Sequence, residues 1–326
     1  MANIKEIAKL AGVSVTTVSR VLNHHPYVSK EKHEAVKRAM EACSYQQNIN
    51  AVHLSKGQTF LIGVVIPFTN HPYFGQLVEG IAEEAVQHNY TLVLFQTAYE
   101  KDKEIHAMDM LKNKQVDALI ICSRISGLEV INKYHAYGPV ILCEDTRGTD
   151  ISSTFIDHYK TFTHALEYLH HKGHDKIGYC IGRNSGSNSS QREKAYRDHL
   201  RKYGRPFSQS FIFHDCFNFE DGVKVVQRLS GLEDRPTALI VSSDQVAAGI
   251  LTCCQDSGIQ VPGDLSIIGF DNQPIAQIMK ITTLEIPLSQ MGRKLFLQSI
   301  DKDGITQDEL TASLIERETV AELPIC

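Results

Sequence analysis

At 326 residues, 42% of them hydrophobic, the chain is long enough for two or three units of roughly 100–200 residues, each burying a core. No run of about 18 apolar residues occurs, which excludes a membrane-spanning helix, and Met1-Ala2-Asn3-Ile4-Lys5-Glu6 lacks the basic-then-apolar opening of an export signal, so a cytoplasmic protein is expected. The net charge of −5 is unevenly spread: residues 1–60 carry eight Lys/Arg against four acids, leaving 25 against 34 for the rest, a basic head on an acidic body suited to meeting a polyanion with the head alone.

Three short helices are predicted in residues 1–46. Asn3 caps the first, with Glu6 in capping-box position. Ile4, Ile7, Ala8 and Ala11 recur at helical spacing and give it one buried face. Gly12 ends it at a position that tolerates positive φ. Ser14 caps a second helix over 15–22, with Val18, Val21 and Leu22 inward. Asn23-His24-His25-Pro26 breaks it, and Ser29 caps a third helix to about residue 43, with Val36, Ala39 and Met40 inside. A helix, a short glycine turn and a second helix is the spacing of the DNA-binding helix-turn-helix, where the small Ala8 lets the helices cross closely. An ordinary helical hairpin shares the pattern. Residues 47–59 read as a polar hinge, whose 48–55 stretch makes only about two helical turns, too few to hold alone.

From residue 60 the period changes. Apolar strand-like runs (60–66, 91–95, 118–122, 140–143, 176–181, 210–213, 238–242 and 265–270) alternate with amphipathic helical segments (75–88, 104–114, 161–172, 191–203, 220–229 and 245–257). Strands apolar on both faces and interleaved with helices mean parallel sheets in a doubly wound α/β architecture. Residues 63–95 and 178–213 share the layout strand, loop, helix, strand, which suggests two similar lobes within 60–326. Ligands of such sheets bind beyond the carboxyl ends of the strands, so the cleft between the lobes is the expected site. Cys122, Cys143, Cys180, Cys253 and Cys254 lie in apolar runs without C-x-x-C spacing, and reduced, mostly buried thiols are expected.

The stretches Ile7-Ala8-Lys9-Leu10-Ala11-Gly12-Val13-Ser14 and Thr17-Val18-Ser19-Arg20-Val21-Leu22-Asn23 closely resemble the head of the LacI/GalR family of repressors. The resemblance continues through Leu169-His170-His171-Lys172-Gly173-His174, Ile267-Ile268-Gly269-Phe270-Asp271-Asn272 and Thr282-Thr283, to about residue 300. Through His24-His25-Pro26-Tyr27-Val28-Ser29 and Cys143-Glu144-Asp145-Thr146 the chain looks most like the catabolite control proteins of Gram-positive bacteria, the B type in particular. The fold implied is an all-α helix-turn-helix head on a periplasmic-binding-protein-like body of two doubly wound parallel-sheet lobes.

What the resemblance implies is a homodimer that reads a palindromic double-stranded operator, each head serving one half-site. By motif position Val15, Thr16 and Arg20 are base readers; Arg20 suits a guanine edge and Val15 a thymine methyl. Thr17, Ser19 and Asn23 suit phosphate contacts. Leu54 matches the family's hinge leucine, which wedges into the minor groove. Gln47 and His53 depart from the usual proline and arginine, which puts an autonomous grip in doubt.

In the body the resemblance implies a sugar or sugar-phosphate effector between the lobes, or a phosphorylated phosphocarrier protein as partner. Arg192, Asp244 and Asp271 are the implied charged ligand-binding residues, and Tyr73 and Phe74 the aromatic wall. A plain Arg192–Asp271 salt bridge across the cleft is the alternative. Ser243 stands where the family often has asparagine.

Other signals point elsewhere. His170, His171 and His174 are read as closing a helix rather than binding metal, because Gly173 interrupts the turn. Gly182-Arg183-Asn184-Ser185-Gly186 follows a strand but lacks a P-loop lysine, and reads as a loop at the cleft mouth. No nucleophile–base–orienter set appears, so neither an enzyme nor a cofactor is expected. An exported solute-binding protein shares the body but not the head. The tail lacks leucine heptads, which favours a dimer over a helical tetramer.

Overall fold

The computed structural model describes residues 3–23, 25–45, 57–301 and 303–324. Two compact units emerge, Met1–Thr59 and Phe60–Cys326.

The first unit holds α1 (Ile4–Ala11), α2 (Val15–Leu22) and α3 (Lys30–Ala42). Asn3 Oδ1 accepts from the amides of Lys5 (2.9 Å) and Glu6 (3.1 Å), and Glu6 returns a bond to the Asn3 amide, completing a capping box. Gly12 takes a left-handed φ of 64°, which lets Val13 N–H reach back to the Ala8 carbonyl at 3.0 Å. Ser14 Oγ caps α2 by accepting from Thr17 N at 3.1 Å. Ser29 stands at the N-cap of α3 but makes no side-chain capping bond, unlike the expectation. Ile7, Ala8, Val18, Val21, Val36 and Ala39 are buried together; Leu22 and Met40 are only half-buried at the margin.

The second unit alternates strands and helices. In chain order these are β1 (Leu61–Ile66), α4 (Pro72–Gln87), β2 (Thr91–Gln96), α5 (Lys101–Lys112), β3 (Ala118–Ile121), α6 (Leu128–Tyr134), β4 (Val140–Leu142), β5 (Ser153–Ile156) and α7 (His158–His171). Then come β6 (Ile177–Cys180), α8 (Ser187–Lys202), β7 (Ile212–Phe213), α9 (Phe219–Ser230), β8 (Ala238–Val241), α10 (Asp244–Asp256) and β9 (Ser266–Phe270). The chain ends with α11 (Pro274–Ile278), β10 (Thr282–Glu285), α12 (Leu288–Ile300), β11 (Gln307–Leu310) and β12 (Ser313–Ile315).

Two six-stranded sheets result, ordered β2-β1-β3-β4-β5-β11 and β7-β6-β8-β9-β10-β12. Every neighbouring pair is parallel except β10–β12. Each sheet with its helices is one lobe. The chain crosses between them three times, after β5, after β10 and between β11 and β12. In the first lobe α12 lies tightly on α4, where a Cβ on Gly80 or Gly292 would strike the opposing backbone at Ser289 or Leu77. One buried apolar cluster runs through both lobes, from Ile62 and Ile120 to Tyr179 and Ile268 by way of Ile286 and Leu288.

The expected two-lobed parallel architecture is what the chain adopts. All eight expected strands occur, although the last part of the 210–213 run is only a two-residue strand behind a 3-10 turn. The elements not anticipated are β5, β10, β11 and β12 with α6, α11 and α12. Four helices begin about a turn earlier than their apolar period suggested: α4 at Pro72, α5 at Lys101, α7 at His158 and α8 at Ser187.

Candidate functional site

In the head, α2 turns Val18 and Val21 inward, so the 3.6-residue period leaves Val15, Thr16 and Arg20 on the open face. Val15 is 42% exposed. Arg20 makes no ion pair, nor do Lys5, Lys9, Lys30, Lys32, Lys37 and Arg38, among the described residues. The three expected phosphate contacts are locally engaged. Thr17 Oγ1 lies 2.9 Å from Ser14 Oγ, and Asn23 Nδ2 donates to the Ser19 carbonyl at 2.9 Å. Tyr27, which the sequence reading did not single out as a contact, is 85% exposed in the loop after α2. Leu54, Gln47 and His53 lie outside the described residues.

In the body, a cavity of about 170 Å³ opens between the lobes. Phe68, Cys122 and Cys143 face it just beyond β1, β3 and β4, and Gly182, Ser242 and Asp271 just beyond β6, β8 and β9. That is the carboxyl-end position expected of doubly wound sheets.

The first turn of α4 supplies Tyr73 and Phe74, packed edge-to-face at 5.0 Å. His71 fixes that turn by accepting from the Tyr73 amide at 3.3 Å. Burial pushes the Tyr73 phenol well above its ordinary pKa, with Cys143 and Asp271 adding to the effect, so it stays a neutral hydrogen-bonding group.

Arg192 reaches in from α8 with its guanidinium 4.4 Å over the Phe270 ring. It donates to His158 Nδ1 from Nε (3.4 Å) and Nη2 (3.3 Å), and His158 itself stacks on Phe270 at 25°. Burial first, and Arg192 second, hold His158 well below the usual imidazole range, which keeps Nδ1 an acceptor.

Asp271 is 4% exposed and sits at φ 97°, followed by Asn272 at φ 53°; two successive left-handed non-glycine residues mark a constrained loop. Its amide donates to the Leu284 carbonyl at 2.7 Å and its Oδ2 accepts from Gln273 Nε2 at 3.1 Å. Burial and the neighbouring Asp244 raise its pKa well above the usual carboxylate range, against the pull of Arg192. No ion pair joins Arg192 to Asp271. The simple salt bridge that was the alternative reading is absent, and both groups face the same cavity.

Asp244 is placed differently from its expectation. It does not line the cavity; wholly buried at the start of α10, it accepts from Thr283 Oγ1 (2.6 Å) and the Gln273 amide (2.7 Å). Its carboxylate is thereby spent on holding the Asp271 loop. Burial pushes it up to about 7.

The cavity mouth is crossed by contacts that sequence reasoning missed. Glu144 pairs with Arg124 within the first lobe and accepts from Ser187 Oγ of the second at 2.6 Å. Arg183 donates to the Arg124 carbonyl at 3.0 Å and lies 4.7 Å over the Tyr99 ring. Phe68 meets Phe217 edge-on at 5.9 Å. The 182–186 loop is therefore a mouth loop, as its sequence suggested.

The histidines at the end of α7 divide. His170 and His171 lie in its last turn, but His174 is 1% exposed and bridges Thr237 Oγ1 (2.9 Å) and the Ala321 carbonyl (3.2 Å). His174 is thus a buried brace, not a helix-end cation.

A family model described as bacterial regulatory proteins, lacI family, matches residues 3–48, and one described as periplasmic binding proteins and sugar binding domain of LacI family matches 59–320. The chain is 42% identical to the uncharacterized HTH-type transcriptional regulator YkvZ of Bacillus subtilis (strain 168), over 98% of this chain and 100% of that one. It is 38% identical to catabolite control protein B of the same organism, over 93% and 96%. Its fold matches the lac repressor dimer bound to operator and the anti-inducer ONPF with a TM-score of 0.82, at 24% identity over 98% and 99% of the two chains.

Proposed function

The chain belongs to the LacI family of bacterial regulatory proteins, and from that premise we propose a repressor that binds palindromic operators as a homodimer and is switched by a small polar effector held between its lobes. It is a DNA-binding transcriptional regulator with a ligand-binding body, and its relatives are regulators rather than enzymes.

The observation that carries the effector reading is that Arg192 and Asp271 line one cavity with aromatic walls without pairing with each other. A polyhydroxylated molecule accepts from the first and donates to the second, so one ligand engages two buried charged side chains at once. Val15, Thr16 and Arg20 are the proposed base readers, with Thr17, Ser19, Asn23 and the hinge residue Leu54 positioning the head. Tyr73, Phe74, Arg192 and Asp271 are the proposed effector residues, and Asp244 supports them from behind. Similarity to catabolite control protein B favours genes of carbon catabolism as targets. Coupling between the two ligands is reciprocal: the factor by which effector changes operator affinity is the factor by which operator changes effector affinity.

The test is selection of duplexes from a random library, followed by a genomic footprint with and without candidate sugars. A two-fold-symmetric consensus whose occupancy moves with a sugar is the expected result; absence of palindromic enrichment sinks the repressor reading. Regulation by a phosphorylated phosphocarrier protein that persists unchanged in Asp271→Asn would place control outside the cavity.

A further inference from the structure

We infer that the ligand of the interlobe cavity is an anion of the phosphate-monoester class, whose acidic group sits between Arg183, Arg192 and the first turn of α8. This rests on the effector reading above and narrows its chemistry.

Three guanidiniums line the cavity, those of Arg124, Arg183 and Arg192, against the carboxyls of Glu144 and Asp271. Glu144 is spent on Arg124 and Ser187. Among the described residues, neither Arg183 nor Arg192 has a carboxylate partner. Burial and Asp244 raise the Asp271 pKa above the usual carboxylate range, and burial lowers those of His71 and His158. Three guanidiniums thus face two carboxyls, one of which is already paired with Arg124, so cations outnumber acids among the described lining residues.

The position of Arg183 sharpens the point. Gly186, the N-cap of α8, has φ 116°, and any Cβ there would collide with the Arg183 guanidinium. Glycine is what lets the cation lie against that helix start, and α8 has no side-chain cap of its own. A cation on the positive end of a 16-residue helix is unfavourable unless an anion joins them. Glu144 alone does not resolve this, since Arg124 neutralises it.

A further unpaired donor faces the same space. His158 is 9% exposed and lines the cavity. Its Nδ1 receives Arg192, so Nε2 carries the proton, and that nitrogen makes no hydrogen bond among the described residues. Arg183, the Arg192–His158 pair and the uncapped amides of α8 are three separate donor groups. A phosphate offers three terminal acceptor oxygens and a carboxylate only two.

The experiment is titration calorimetry on the full chain at fixed ionic strength. The titrants are a panel of neutral hexoses and pentoses, each beside its own phosphate ester, and inorganic phosphate alone. For at least one pair the ester is expected to bind about tenfold tighter than its parent or more, with inorganic phosphate competing. Arg183→Gln and Arg192→Gln should each erase that preference, while Arg183→Lys, which keeps the charge, should retain part of it. A parent sugar binding as tightly as its ester, or a preference surviving both glutamine substitutions, overturns the anion inference and leaves the effector reading standing. Binding by neither class anywhere in the panel overturns both.

Discussion

Arg20→Ala offers the sharpest test of the head. Arg20 is exposed on α2, pairs with no acid among the described residues, and lies off the face that buries Val18 and Val21. Truncating it should change the stability of the head by no more than about 0.5 kcal/mol, as for other exposed sites without partners. If Arg20 grips a guanine edge, its loss costs about 1–3 kcal/mol per half-site. Two symmetry-related heads raise that to about 2–6 kcal/mol, or roughly 30-fold to ten-thousand-fold in affinity, at 1.4 kcal/mol per decade. Fluorescence anisotropy on the selected duplex and on a scrambled one, at the same salt, reads both consequences. The selected duplex should lose far more than the scrambled one, and the salt slope should barely change, because a base contact releases few counterions. An equal loss on both duplexes, with a shallower slope, would make Arg20 a phosphate contact and refute the reasoning.

Three further outcomes follow from the geometry. Ser14→Ala removes the acceptor for the Thr17 amide at 3.1 Å, and should destabilise the head by about 1 kcal/mol in urea unfolding; no change would mean that water caps α2 equally well. Gly292→Val forces a side chain onto the Leu77 carbonyl across the α4–α12 contact, and should cost about 1–3 kcal/mol or more in the unfolding of the body, with the head transition unmoved. The third concerns pH. Asp244 titrates near 7 when folded, above its ordinary 3.8, so its stabilising contribution is fully present below about pH 4 and is lost as pH rises through 7. Asp244→Asn cannot ionise; its denaturation midpoint should gain on that of the native chain between pH 5 and pH 8, whereas a gap independent of pH would mean Asp244 does not titrate there.

The fold was legible because its period is loud. Strands such as Ala118–Ile121 and Ala238–Val241 are apolar on both faces, as parallel strands between helices must be. What stayed hidden follows one physical pattern. The first turns of α4, α7 and α8 carry Tyr73, His158 and Ser187, which face the cavity. A first turn outside the apolar period is invisible to it, as also at α5, whose first turn is Lys101-Asp102-Lys103-Glu104, so each helix seemed to begin one turn late. β5 was missed for a related reason: Ser153 and Thr154 are buried yet polar, with Ser153 and Thr154 hydroxyls bonded to Thr146 and Gln298. Arg192 and Asp271 line the cavity, but motif position cannot distinguish a carboxylate that lines a cavity from one that braces the loop beside it. Asp244 is the second kind, and only the bonds from Thr283 and the Gln273 amide reveal it.

The same distinction bears on how the cavity can respond to its ligand. Through the crossovers after β5 and β10 the lobes share a continuous apolar cluster, which only large work would separate. At the mouth they are joined by Ser187 to Glu144, by Arg183 to the Arg124 carbonyl, and by ring edges. Hydrogen bonds of that kind contribute about 0.5–1.5 kcal/mol each, more where a charge is involved. Opening the mouth therefore costs only a few kcal/mol, within what one bound ligand can supply through differential affinity. On the proposed reading, an anion between Arg183 and Arg192 adds its bonds at that same seam, one arginine belonging to the mouth and the other to the interior. It stabilises the closed arrangement most where the protein's own contacts are weakest, and the ligand's charge, more than its size, then sets how far the equilibrium moves.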